Sequence, residues 1–169
     1  CDYYDIKSDI VGTPDNLLNV GKKCGISKFL VHSVAIIPKH VRSINDFIGE
    51  EIKKHSEFIG FGTLHAEMEN PYEEIERIKA MGLMGIKLHP DTQNFAIDDE
   101  RMFPIYEELQ GKLPFLIHCG DRKSDLSHPR RLRKIIEMFP KLVVIGAHLG
   151  GWSRWEEAQE NLRDKDCFV

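Results

Sequence analysis

The chain has 169 residues, of which 41% are hydrophobic and 30% charged, a balance typical of one soluble globular domain. The formal net charge is −4 and no apolar run approaches the roughly 18 residues of a membrane span, which argues against nucleic-acid-binding and membrane proteins. The four cysteines, Cys1, Cys24, Cys119 and Cys167, show no C-x-x-C spacing. This predicts free thiols and a cytoplasmic protein rather than a disulfide or zinc-finger framework.

Continuous apolar runs alternate with amphipathic stretches along the chain. Strands are predicted near residues 28–35, 58–64, 85–88, 114–118 and 142–147, because these runs are apolar enough to be buried on both faces. Helices are predicted over 14–25, 41–54, 71–82, 129–139 and 155–162, with Asn70 and Ser127 as two of the caps. Residues 98–111 should form a single turn and then a helix from Phe103, which accommodates Pro104. The last three residues resemble the start of a further strand.

A strand followed by a helix repeats about every 28 residues, which is typical of parallel α/β folds with right-handed crossovers. An open doubly wound sheet and a closed (β/α)8 TIM barrel both fit this repeat. The chain carries neither of the glycine-rich phosphate loops, G-x-G-x-x-G or G-x-x-x-x-G-K-[ST], that an open sheet predicts. No linker or low-complexity tract interrupts it, so residues 1–169 are predicted to form one domain.

Four of the eight histidines stand where predicted strands end. They are His65, His89, His118 and His148. In a closed barrel the carboxyl ends of the strands surround one pocket, so these side chains could converge, whereas an open sheet would spread them along an edge. A single histidine at the end of a strand is explained by packing. Four histidines at matching positions after successive strands instead favour a barrel with a shared site. The other histidines are expected in the core (His32) or on the solvated surface (His40, His55 and His128).

Histidines that converge at a barrel mouth predict metal chemistry. Neutral imidazole is a good ligand for zinc and similar divalent ions. A catalytic site needs about three protein ligands and an open position for water. The metal lowers the pKa of that water, and a nearby group moves its proton. The sequence therefore predicts a divalent metal ion as the cofactor, with zinc the expected one.

Three motifs together resemble those of the amidohydrolase superfamily. They are GIKLHP at 85–90, LIHCG at 116–120 and AHLGG at 147–151. Over nearly its whole length the chain is similar to the amidohydrolase-related branch (family 2), which includes aminocarboxymuconate semialdehyde decarboxylase. The resemblance implies a partial metal-dependent hydrolase barrel, (β/α)8 in type, with only about strands 2 to 7 present in this chain.

The resemblance also implies roles for single residues. His118 is expected to ligate the metal, and His148 to be catalytic by polarising the metal-bound water or the substrate, with a second metal at His148 as the alternative. Lys87 stands where some relatives carry a carboxylated, metal-bridging lysine, although a structural ion pair is an equal alternative. The substrate-pocket candidates are His65, Lys87, His89, Asp121 and Trp152. A solvated loop charge explains Asp121 equally well, and a cover over the barrel edge explains Trp152 nearly as well.

Two features of the family have no counterpart in this sequence. The first strand of the family carries a His-x-His pair and the eighth strand an aspartate, and no H-x-H triplet occurs here. We therefore expect the chain to be the middle of a longer barrel, incomplete and inactive alone.

These features predict a metal-dependent hydrolase, in which metal-activated water attacks a carbonyl-type carbon of a small-molecule substrate. A non-oxidative decarboxylase on the same barrel is the first alternative. A catalytically inactive binding or structural fragment is the second. Neither nucleic acid nor a membrane is an expected partner, and homo-oligomerisation stays open.

Overall fold

A computed structural model of the protein describes residues 11–169. The strands are β1 (Phe29–Val31), β2 (Phe58–Gly60), β3 (Ile86–Leu88), β4 (Phe115–Ile117) and β5 (Val144–Gly146). The helices are α1 (Pro14–Lys23), α2 (Val41–Lys54), α3 (Pro71–Ala80), α4 (Pro90–Gln93), α5 (Phe103–Leu109), α6 (Pro129–Met138) and α7 (Trp155–Leu162). Short 3₁₀ turns, Pro38–His40 and Glu100–Met102, precede α2 and α5. Within residues 11–169, no helix combines the length and apolarity that crossing a membrane requires.

All five strands pair in parallel and in chain order. β1 pairs with β2, and β3, β4 and β5 form a second ladder in that order. A single bridge from Gly62 to Ile86 joins the two ladders, and Phe168 bridges to Ile145 on the far side of β5. The predicted parallel order is therefore confirmed. Residues 11–169 show no closed barrel, so closure and the numbering of the strands within a barrel stay predictions.

One face of the sheet lies beneath the helices and forms the core. Ile86, Leu88, Phe115, Ile117 and Val144 are completely buried there among helical side chains. Side chains alternate along a strand, so Lys87, His89 and His118 belong to the opposite face. Alternate strand residues thus pack against the helices in the core, and the residues between them face the other side of the sheet, where a site can form.

Several local predictions need correction. Ser127 does not cap α6: the Nδ1 atom of His128 accepts the backbone N–H of Arg130 at 3.1 Å, so His128 is a cap and not simply a solvated residue. Asn70 occupies the N-cap position of α3 without a side-chain hydrogen bond. The turn before Pro104 is confirmed, because Glu100–Met102 is a 3₁₀ turn and α5 starts at Phe103. Among the described cysteines, Cys24, Cys119 and Cys167 are free thiols, and Cys1 lies outside the described residues.

Candidate metal centre

Three of the predicted histidines meet at the carboxyl ends of neighbouring strands. The rings of His89 and His118 are stacked, with centroids 3.9 Å apart and planes within 8° of each other. The ring of His148 meets that of His118 edge-on at 4.9 Å. Trp152 lies beside both, its ring centroid 6.0 Å from His118 and 6.3 Å from His148. The residues after β3, β4 and β5 therefore form one cluster of imidazoles with an indole at its side.

The fourth predicted histidine is held elsewhere. His65 is buried, its Nδ1 atom accepts the backbone N–H of Glu67 at 3.2 Å, and its Nε2 atom lies 3.2 Å from the carbonyl oxygen of Ile36. Both ring nitrogens thus contact the backbone of surrounding loops. Among the described residues, the ring contacts of the cluster do not include His65. A part for His65 in substrate binding stays a prediction.

The expectation for His32 is wrong. β1 ends at Val31 and not near residue 35, so His32 is the first residue beyond the strand and is exposed rather than packed in the core. The strand is short because its pairing with β2 stops at the register of Val31 with Gly60. His32 consequently stands at the same edge of the sheet as the histidine cluster, where the sequence-based prediction had not placed it.

A carboxylate completes the cluster. Asp91 lies in the first turn of α4, two residues beyond His89, and its side chain is fully buried. One of its oxygens, Oδ2, lies 3.8 Å from His89 Nδ1 and 3.7 Å from His118 Nε2. Neither carboxylate oxygen has a hydrogen-bond partner among residues 11–169. Asp91 was not among the residues predicted from the sequence, because α4 is a single turn and gives no periodic pattern.

These three side chains fit a metal ion. His89, Asp91 and His118 each offer one ligand atom, and the three atoms lie within 4.8 Å of one another. Zinc bonds of about 2.0–2.2 Å in tetrahedral geometry place ligand atoms roughly 3.3–3.6 Å apart. Asp91 Oδ2 needs only a small movement toward each nitrogen, whereas the stacked rings would have to turn so that both nitrogen lone pairs face the ion. His118 Nε2 also lies 3.1 Å from the carbonyl oxygen of Gly120. Coordination through Nε2 would replace that contact, since a nitrogen that donates a hydrogen bond has no lone pair for a metal.

The protonation state of the two histidines suits metal binding. Burial, followed by the charge of Lys87, lowers the pKa of His89 to about 4. Burial, followed by the charges of His89 and Lys87, lowers the pKa of His118 to about 3. Both rings are therefore neutral near pH 7 and give the Asp91 carboxylate no cationic partner. An ionised carboxylate buried in this way is costly unless it is paired or binds a metal.

Lys87 and Asp121, two other predicted pocket residues, are both buried but differ in their contacts. Lys87 is buried on β3, and burial lowers the pKa of its ammonium group to about 8. Within residues 11–169 Lys87 forms no ion pair, so the structural ion pair that the sequence left open is absent there. Asp121 is also buried, but its Oδ1 atom accepts the backbone N–H of Lys123 at 2.8 Å and shapes its own loop. Asp121 is thus not a solvated charge, and its part in the substrate pocket stays a prediction.

The loop after β5 has an unusual backbone. His148, Leu149 and Gly150 all have positive φ, at 61°, 55° and 71°. For residues other than glycine this conformation costs roughly 1–2 kcal/mol each, and it persists only where the surroundings impose it. The Trp155 indole donates to the carbonyl oxygen of His148 at 3.2 Å and ties this left-handed turn to the start of α7. The turn sets the direction in which the His148 ring leaves the backbone.

The loops after β4 and β5 are interlocked. The backbone N–H of Trp152 donates to Cys119 O at 2.8 Å, Arg122 Nε to Ser153 O at 2.7 Å, and Arg154 Nε to Asp121 O at 2.8 Å. A Cβ on Gly120, whose φ is +86°, would lie 2.5 Å from the backbone of the facing loop. The close approach of the two loops therefore requires glycine at position 120, and it keeps His118 and His148 together.

Comparison with known protein families agrees with this geometry. The family model described as amidohydrolase matches residues 27–166, which is most of the chain and includes every residue of the cluster. Members of this family usually bind a divalent metal. Membership of the family implies an enzyme of the metal-dependent hydrolase or decarboxylase type. The group formed by His89, Asp91 and His118 could hold such an ion. The chain belongs to the amidohydrolase family.

Proposed function

We propose that the protein is a metal-dependent hydrolase that uses zinc to activate water against a carbonyl-type carbon of a small-molecule substrate. The observation that carries this proposal is the buried Asp91 carboxylate, which faces two neutral imidazoles and has no hydrogen-bond partner among the described residues. Within the family, we place the protein in the branch that includes aminocarboxymuconate semialdehyde decarboxylase, on the motifs at 85–90, 116–120 and 147–151.

In this proposal His89, Asp91 and His118 hold the ion. Two imidazole nitrogens and one carboxylate oxygen are a ligand set that zinc accepts in catalytic sites, where a fourth position stays open. When bound, the ion supplies Lewis-acid activation of water and of the substrate carbonyl. The stacked rings of His89 and His118 keep both donors on the same side of the sheet.

His148 is the residue that moves protons in this proposal. It is exposed at the rim of the cluster, and its ring meets His118 at 4.9 Å. Partial removal from water, followed by the Lys87 charge, lowers the pKa of His148, so the ring is neutral near pH 7. A neutral imidazole can take a proton from water at a ring nitrogen and return it to the leaving group. Trp152 supplies an apolar wall beside this position.

A decarboxylase on the same scaffold is the second candidate, and Lys87 favours it. Lys87 is only 5% exposed and has no ion pair within residues 11–169, although its charge acts on all three clustered histidines. A buried cation of this kind is suited to a substrate carboxylate. Assays on a panel of esters, amides and carboxylic acids would separate the two candidates, because one releases a hydrolysed product and the other carbon dioxide.

Metal binding tests the proposal directly. Titration calorimetry with Zn²⁺ on the apo protein should show one tight site, and Asp91→Asn should weaken binding by more than the roughly 10- to 100-fold that residues outside the coordination sphere contribute. Asp164→Asn is the matched control, because Asp164 is an exposed aspartate beyond α7. A wild-type chain that binds no Zn²⁺ would reject the proposal and favour the binding or structural alternative.

A further inference from the structure

The side chain of Gln93 connects the ends of three strands. It is buried at the end of α4 and makes three hydrogen bonds of 2.8 Å. Its Nε2 atom donates to the carbonyl oxygens of Ala35 and Leu64, and its Oε1 atom accepts the backbone N–H of His89. Ala35 lies beyond β1, Leu64 beyond β2, and His89 directly beyond β3. One amide therefore holds three neighbouring loops in a fixed arrangement.

The segment that Gln93 holds contains two of the three candidate ligands. His89 and Asp91 lie at the start of α4, whose four residues are followed by Asn94 in the left-handed conformation, with φ of 54°. A single turn of helix is unstable by itself, because its first turn orders several residues for few hydrogen bonds. The position of His89 and Asp91 relative to His118 consequently depends on anchors outside the turn. The Gln93 side chain supplies two of them, at Ala35 and Leu64, and connects them to His89 through its third hydrogen bond.

We propose that Gln93 is a positioning residue for the metal centre: by linking the ends of β1, β2 and β3 it fixes His89 and Asp91 opposite His118. This inference rests on the proposed metal site. Gln93 itself does not face the ion, since both ends of its amide are used by the backbone. Its contribution is to keep the ligand atoms near their bonding distances, and an error of a few tenths of an ångström there reduces affinity.

Gln93→Met tests the role, because methionine has a similar length and no amide. Asn45→Leu is the matched control. Asn45 is likewise a completely buried amide bonded to backbone, donating to Thr63 O at 3.0 Å and accepting Thr63 N–H at 2.7 Å. Both variants should lower the urea midpoint of unfolding, since each leaves buried backbone groups without partners. Only the Gln93 variant should lose Zn²⁺ affinity.

The decisive measurement is the Zn²⁺ dissociation constant of each folded apo protein, together with the visible absorption of bound Co²⁺, which reports ligand geometry. We expect Gln93→Met to weaken Zn²⁺ binding about 10- to 100-fold and to alter the Co²⁺ spectrum, while Asn45→Leu leaves both unchanged. If Gln93→Met does not fold, Gln93→Asn, which keeps the amide but shortens the reach, is measured by the same criterion. Unchanged Zn²⁺ affinity and Co²⁺ spectrum in the folded Gln93 variant, or an equal loss in Asn45→Leu, would overturn the positioning role alone. Absence of Zn²⁺ binding by the wild type would overturn the proposed function with it.

Discussion

The rings of His89 and His118 lie parallel at 3.9 Å, a separation that two protonated imidazoles could not keep without strong repulsion. The low pKa values of both rings agree with this arrangement, because burial keeps them neutral near pH 7. Because the lone pair of an imidazole nitrogen lies in the ring plane, at least one ring would have to turn out of the stack for both to bind one ion. The parallel order of β3 and β4 thus brings two neutral nitrogen donors side by side.

His118 and His148 should respond differently to removal. His118→Ala should lose most bound Zn²⁺, because it removes a ligand. His148→Ala should keep most of the metal and lower kcat about 10²–10⁴-fold on any substrate that is turned over, as expected for a general acid or base. Metal content by atomic emission beside steady-state rates measures both effects. Full metal content and activity in His118→Ala would contradict the ligand role, and metal loss in His148→Ala would make His148 a ligand instead.

Gly120 should be intolerant of any side chain. Gly120→Ala places a methyl group 2.5 Å from the backbone of Gly151 and Trp152 and strains a φ of +86°, so we expect a loss of at least about 3 kcal/mol in the free energy of unfolding. Gly111→Ala is the control, because Gly111 has a φ of +69° and open space around it. Gly111→Ala should lower the free energy of unfolding by only about 1 kcal/mol, because it introduces backbone strain without a steric clash. Urea denaturation of both proteins checks the difference, and equal losses would refute the steric explanation.

Glu74 should be the more important of two adjacent glutamates. Its side chain is fully buried and accepts hydrogen bonds from Arg77 at 2.9 Å and from Asn45 at 2.7 Å. Glu74→Ala removes the acceptor of the buried Asn45 amide and one of the two carboxylate partners of Arg77, which keeps Asp46, and should destabilise the protein by about 1–3 kcal/mol. Glu73→Ala, which removes a largely exposed partner of Arg42, should stay within about 0.5 kcal/mol of the wild type. Chemical denaturation should rank the two variants in this order.

The cysteines should differ in their reactivity toward iodoacetamide. Cys119 is completely buried, and burial raises the pKa of its thiol far above the ordinary range, so almost no thiolate is present at pH 8. Cys24 is exposed and, of the three cysteines within residues 11–169, should be alkylated first in the folded protein. Cys119 should react only after unfolding in urea. Peptide mapping by mass spectrometry distinguishes the sites, and rapid labelling of Cys119 in the folded state would contradict the burial described here.

The parallel order of the strands and the neighbouring positions of His118 and His148 were predictable. Both follow from one physical relationship: parallel strands of successive βα units end at the same edge, so residues just beyond them become neighbours. The apolar runs near 114–118 and 142–147 locate that edge in the sequence. No contact between distant parts of the chain had to be known.

Asp91, His32 and His65 show what the sequence pattern could not provide. Asp91 reaches the cluster through α4, a single turn that is too short to give a periodic pattern. The end of β1 is set by its pairing with β2, and nothing in the sequence of residues 28–35 marks where that pairing stops. The orientation of His65 depends on the carbonyl group of Ile36, 29 residues away along the chain. Each of these is a tertiary effect.

The interlocked loops after β4 and β5 also bear on how this site could be altered. Cys119, Asp121 and Ser153 take part in the connections through their carbonyl groups, so their side chains are not constrained by these bonds. Arg122 and Arg154, in contrast, are needed as side-chain donors. Replacing only one loop with that of a relative would remove these hydrogen bonds and separate His118 from His148. The two loops would have to be exchanged together, with Gly120 retained where they approach each other.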